Sequence, residues 1–162
     1  FLFPRPAKPH TNTASALGAI LNHAFQLGLS GPGGWWILFE PELHFGKDIL
    51  VPDLAGWLRA EMPALDTSLA YFDQAPTWAC EVLSPSTERH DRGRKLMRYL
   101  KAGVDWLWLI NPLSFTLEVL HREDGRWAIH TVASGLDVAQ LEPFTELTLD
   151  LTHMWIETPK AE

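Results

Sequence analysis

The sequence has 162 residues, enough for one folded domain but scarcely for two, and 46% apolar content, which excludes a disordered chain. A net charge of −7 argues against a generic nucleic-acid coat, although Arg89, Arg92, Arg94, Lys95, Arg98 and Lys101 concentrate positive charge within residues 88–101. A single cysteine, Cys80, excludes an internal disulfide or a cysteine-based zinc cluster.

Set in the apolar run Trp78-Ala79-Cys80-Glu81-Val82-Leu83, Cys80 reads as a buried, inert thiol suited to a reducing cytoplasm. The segment from Phe1 to Pro9 carries three prolines and no apolar signal-peptide core, and no stretch approaches the roughly 20 apolar residues of a membrane span. Because the sequence opens on Phe1 rather than Met, further native residues are expected upstream.

Leu17, Ile20, Leu21, Ala24, Phe25 and Leu27 recur at helical spacing, which predicts a helix over 11–29, broken by Ser30-Gly31-Pro32-Gly33-Gly34. A strand is expected from Trp35 to about Phe45. It turns at Gly46-Lys47-Asp48 into a second strand through Ile49-Leu50-Val51 and on to Trp57, a β-hairpin signal. Residues 59–75 read as an irregular loop ended by Pro76. Thr77 to Leu83 is a strand buried on both faces, interrupted by Glu81. Ser86 and Thr87 then offer caps to a helix over 88–101 that stops at Gly103. Another buried strand follows over 105–110. Segments 115–121 and 127–132 pair across Glu123-Asp124-Gly125, and the apolar tail 147–156 packs back on the sheet. The strand, helix and strand between 77 and 110 form a parallel βαβ crossover. The expected class is α/β or α+β: one domain, residues 1–162, with a mixed central sheet flanked by helices.

Two acids stand out against this pattern. Glu81 interrupts a core strand, where a lone carboxylate costs several kcal/mol unless something pairs with it. Asp53 follows Pro52 and interrupts another apolar strand. Acids on neighbouring strands suggest a shared cation, and oxygen donors suit Mg²⁺ or Mn²⁺. Lys95 lies about two turns into the second helix, at the border of the apolar side formed by Leu96, Met97, Leu100 and Val104, with Asp91 and Tyr99 at i±4. From there it can set a positive charge beside a phosphate. Each residue also has a plainer reading. Asp53 can be a turn former, Glu81 a buried acid bonded to backbone, Lys95 half of a surface ion pair with Asp91, and the basic segment a solvated helix face. The seven histidines show no ligand spacing, and His10 reads first as a capping or surface residue. Trp106 and Trp108 share one strand face, which favours core packing over base stacking.

Val51-Pro52-Asp53, then Trp78 through Thr87, then Asp91, Lys95, Tyr99, Gly103-Val104 and Trp106 through Pro112, with His10 ahead of the first helix, together resemble the Uma-type family of restriction endonucleases in the PD-(D/E)XK nuclease superfamily. The resemblance spans about Pro4 to Leu151. It implies a restriction-endonuclease-like fold in which Asp53, Glu81 and the backbone carbonyl of Val82 bind the catalytic metal. The lysine of the superfamily's E-x-K falls at Leu83, and Lys95 on the following helix takes its place. Glu42, or else Glu40, together with Asp91 and His10, is expected to add contacts around the metal site.

The implied reaction is hydrolysis of a DNA phosphodiester. The metal lowers the pKa of a water and stabilises the pentavalent phosphate, and Lys95 orients the water or neutralises charge. A homodimer is expected, since two sites related by a two-fold axis cut both strands of a duplex most directly. Two further readings remain open: a nuclease-fold binding or scaffold module that no longer cleaves, favoured by Leu83 and the negative charge, and a structural homo-oligomer.

Overall fold

A computed structural model describes residues 7–84 and 91–161. Pro9 suits the first turn of a helix, where its missing N–H has no intrahelical partner to lose. Helix α1 accordingly runs from Lys8 to Leu21, starting three residues ahead of expectation. Residues Asn22–Gln26 then widen into a π-helical turn, and Gly28, at φ +65°, ends it. The turn presents two amide side chains to the first strand, β1 (Trp35–Phe39): Gln26 Oε1 accepts from the Ile37 N–H at 2.8 Å, and Asn22 Nδ2 donates to the Ile37 carbonyl at 3.2 Å. β1 is an outermost strand of the main sheet, so these bonds satisfy backbone groups that an edge otherwise leaves open.

The predicted hairpin forms, but both of its arms are broken. Its inner part pairs β1 with β4 (Leu54–Leu58), antiparallel, with Phe39 opposite Leu54. Its outer part is a separate ribbon of β2 (Leu43–Phe45) and β3 (Asp48–Leu50). The expectation of two continuous strands is corrected at Pro41 and Pro52, which cannot donate to a ladder. Beside Pro41, Glu40 takes up the left-handed region at φ +44°, and its N–H donates to the Asp53 carbonyl at 3.1 Å.

β5 (Trp78–Val82) and β6 (Trp106–Asn111) run parallel, joined through α2 (Asp91–Ala102), as the crossover pattern predicts. β7 (Thr116–Glu123) and β8 (Arg126–Ser134) form a hairpin whose turn residues Asp124 and Gly125 both have positive φ. The six-stranded sheet has the order β1-β4-β5-β6-β7-β8, and only the β5/β6 pair is parallel. This is a mixed α+β architecture with helices on the sheet's faces. The proposed caps Ser86 and Thr87, and the side chain of Asp91, lie outside what the structure describes.

Strand alternation sorts the core onto two faces. Trp78, Cys80 and Val82 of β5, with Trp108 and Ile110 of β6, meet Leu17, Leu21 and Phe25 on one face; the tail residues Leu149, Leu151 and Met154 join them, as the apolar tail predicts. Ala79 of β5, with Leu107 and Leu109 of β6, meets Tyr99 and Val104 on the other. The tryptophans are structural here. Trp78 and Trp108 meet edge to face at 5.4 Å, and five indole N–H groups, from Trp36, Trp57, Trp108, Trp127 and Trp155, donate to backbone carbonyls of Met62, Gln74, Glu142, Leu96 and Gly135. Complete burial pushes the Cys80 thiol pKa well up, in keeping with an inert cysteine. No helix among the described residues is long and apolar enough to cross a membrane.

Gly56 of β4 sits beneath this packing. A Cβ there would stand 3.1 Å from both Ile37 Cδ1 and Trp35 Cε3, and 3.3 Å from Trp78 Cε3. Gly56→Ala is therefore expected to cost about 1–3 kcal/mol through overpacking. In urea unfolding it should lower the midpoint at unchanged slope.

Candidate active site

The break in the hairpin sets the position of Asp53. Pairing between β4 and β5 reaches Leu54↔Cys80, and Asp53 stands just before it. Its Oδ2 accepts from the Val82 N–H at 2.7 Å, and Oδ1 lies 3.3 Å from His10 Nε2 in the first turn of α1. Glu81 follows Cys80 on β5 and faces the opposite side of the sheet, toward α2. Its Oε1 accepts from the Tyr99 hydroxyl at 2.5 Å, and its Oε2 lies 3.7 Å from Lys95 Nζ. Lys95 and Tyr99 are i,i+4 on α2, so one helix face brings both to the same carboxylate.

These groups line one cavity of about 150 Å³. His10, Asp53, Glu81, Val82, Ser84, Arg92, Lys95 and Tyr99 supply its polar side, and Val51, Leu83, Leu96, Leu107 and Leu109 its apolar side. Glu81 is only 9% exposed. Burial, followed by the negative charge of Asp53, pushes its pKa up to about 7, against the pull of Lys95 and the Tyr99 hydrogen bond. Its ionised form is thus under-compensated by the protein alone. The bond to Asp53 raises the His10 imidazole above its ordinary value, with burial opposing. Among the described residues, His10 Nδ1 is buried with no hydrogen-bond partner.

The cavity thus gathers Asp53, Glu81, Val82, Lys95 and His10. Glu42 is not among its lining residues: its half-exposed carboxylate pairs with His44 Nε2 at 2.7 Å, out on the β2–β3 ribbon beyond the proline break. Glu40 is the acid that stays close, lining an adjoining cavity with His10 and Asp53. Among the polar side chains of the cavity, Ser84, Arg92 and Tyr99 carried no assigned role in the sequence. Tyr99 could have been found as a polar-tipped side chain on the helix's apolar border, four residues from Lys95. Arg92, which bonds Glu118 Oε2 on β7 at 3.0 Å, had no signal that set it apart from its basic neighbours.

Tyr99→Phe removes the hydroxyl that favours ionised Glu81, so the Glu81 pKa rises further. Melting curves should show a loss of about 1–3 kcal/mol at pH 8 and a smaller loss at pH 5, where Glu81 is already neutral. An equal loss at both values would mean that the hydroxyl does not serve the carboxylate.

A family model described as "Putative restriction endonuclease" (Uma2) matches residues 2–152. The chain belongs to the Uma2 family. Its fold is also similar to the crystal structure of a putative nuclease belonging to DUF820 from Anabaena variabilis. The two superpose with a TM-score of 0.76 at 22% sequence identity, covering 95% of this chain and 84% of that one. At that identity the likeness speaks for the fold. No curated protein matches the sequence. Of the metal ligands that the sequence led one to expect, Asp53, Glu81 and Val82 all line this cavity; no group of three or more His, Cys, Asp or Glu side chains among the described residues forms a ligand cage.

Proposed function

We propose that the protein is a metal-dependent endonuclease that hydrolyses DNA phosphodiester bonds. In this reading Asp53, Glu81 and the Val82 carbonyl hold Mg²⁺ or Mn²⁺, and Lys95 serves the phosphate. One observation carries it: two carboxylates and an ammonium from three elements distant in sequence converge on a single cavity. Membership of the Uma2 family supports the same assignment.

The residues fit a hard cation. Both candidate side-chain ligands are oxygen donors, and buried Glu81, with a pKa near 7, carries a charge that a neighbouring cation would offset. A divalent ion bound there would acidify a water and offset charge on the phosphate. The protein's own groups do the positioning. Val82 N–H and His10 hold Asp53 from two sides, and Tyr99 fixes Glu81. Lys95, 40% exposed, stands where a phosphate oxygen can reach its ammonium. Residues 1–162 form one catalytic domain in this proposal, acting in the cytoplasm as a homodimer that addresses both strands.

The competing reading is a nuclease-fold binding module that no longer cleaves, favoured by Leu83 and the net charge of −7. The deciding assay is plasmid cleavage with Mg²⁺ or Mn²⁺, comparing wild type with Asp53→Ala and Glu81→Ala. Nicking or linearisation by wild type alone is expected. Equal activity in all three proteins removes the endonuclease assignment, and no cleavage by wild type favours the module.

A further inference from the structure

The active-site cavity does not end at Asp53. A second cavity, of about 390 Å³, shares His10 and Asp53 with it and continues along α1 past Ala14 and Ser15 to Phe39 and Glu40. Phe39 ends β1 opposite Leu54, one position from Asp53, yet the residue is 53% exposed. The tip of the ring rests directly against the α1 backbone, where a Cβ on Gly18 would collide with it. An exposed but braced aromatic next to candidate catalytic carboxylates is a ready stacking surface.

Glu40 defines what can lie there. Its backbone is fixed at φ +44°, anchored by its N–H to the Asp53 carbonyl at 3.1 Å, and its side chain is exposed at the cavity wall. An unpaired carboxylate repels phosphate, so this end favours a base over the sugar–phosphate chain. It accepts hydrogen bonds, as from the exocyclic amine of cytosine, and thymine has no such amine.

Building on the endonuclease reading, we infer that this second cavity is a nucleobase subsite: Phe39 stacks an unpaired base of the nucleotide next to the scissile phosphate, and Glu40 selects bases bearing an exocyclic amine. A base on Phe39 has left its duplex stack, so the preferred substrate is single-stranded or frayed DNA. Phe39 and Glu40 are specificity residues in this scheme and take no part in bond cleavage.

The test is fluorescence anisotropy of short fluorescein-labelled oligodeoxycytidylate and oligothymidylate, with Ca²⁺ in place of a catalytic ion. Wild type should bind the cytidylate about fivefold or more tightly than the thymidylate. Phe39→Ala should weaken both by roughly tenfold or more, and Phe39→Trp should restore binding. Glu40→Gln should shrink the preference without comparable loss of overall affinity. Thermal melts of each variant check that the fold is kept, and the tryptophan variant separates lost stacking from lost structure. Unchanged binding in Phe39→Ala, or no binding of either strand by wild type, overturns the subsite. The endonuclease reading stands or falls separately, on plasmid cleavage by wild type against Asp53→Ala.

Discussion

Glu81→Gln is expected to abolish cleavage while making the ion-free protein more stable above pH 7. The folded-state pKa of Glu81, about 7, lies above the ordinary 4.5. Between those values the folded protein keeps a proton that the unfolded chain releases, so stability falls as pH rises through this window. Above pH 7 the whole penalty stands, and the gap from 4.5 to about 7 corresponds to roughly 3 kcal/mol. Glutamine keeps an oxygen for the Tyr99 hydroxyl but carries no charge to desolvate. Without divalent ions, the variant should melt roughly 5–10 °C above wild type at pH 8 and close to it at pH 5. Adding Mn²⁺ should raise the melting point of wild type and leave the variant nearly unmoved. Cleavage should fall by about a thousandfold or more, since under the proposed mechanism the site loses both a metal ligand and its charge. A variant no more stable than wild type at pH 8 would contradict the account of Glu81 as an under-compensated buried charge.

Lys95→Met carries the second large effect. The attraction of Lys95 is the strongest influence holding the Glu81 pKa down. Removing it pushes that pKa further up, so the acidic limb of the pH–rate profile should move to higher pH. The turnover rate at the plateau should fall by about a hundredfold or more, because under the proposed mechanism the ammonium no longer meets the phosphate. Lys95→Arg should restore the position of the limb better than the rate. It returns the charge, but a planar guanidinium does not reproduce a compact ammonium. The measurement is cleavage rate against pH for the three proteins. A fall in rate with an unmoved limb would mean that Lys95 acts on substrate alone.

The sheet was largely legible because its strands carry their own signals. Buried β5 and β6 are continuous apolar runs, and Asp124-Gly125 marks the β7–β8 turn. Asp53 and Glu81 could be picked out for the opposite reason: each is a charged interruption of such a run. What the sequence hid was the tertiary context. Hydrophobic periodicity does not distinguish an α-helical turn from the π-helical one at Asn22–Gln26, whose reason is the edge of β1. Pro52 was visible as a distortion, but only the pairing shows that Glu40 and Pro41 break the facing arm at the same level, leaving Glu40 near Asp53 and carrying Glu42 away. Tyr99 was visible only as the neighbour of Lys95 four residues on; it is core, and its hydroxyl reaches Glu81 only because β5 lies under α2.

The five indole bonds have a consequence for how loops can vary around this frame. Trp57 holds Gln74, and Trp108 holds Glu142, by main-chain oxygens that every amino acid possesses. Such a tether is indifferent to the letter it grips. Apart from the side chains sunk in the core, Met62, Phe72, Leu141 and Phe144, the irregular segments of 59–75 and 141–147 can therefore exchange side chains, and with them the surface offered to a passing strand, while the barbs that pin them to the sheet stay fastened.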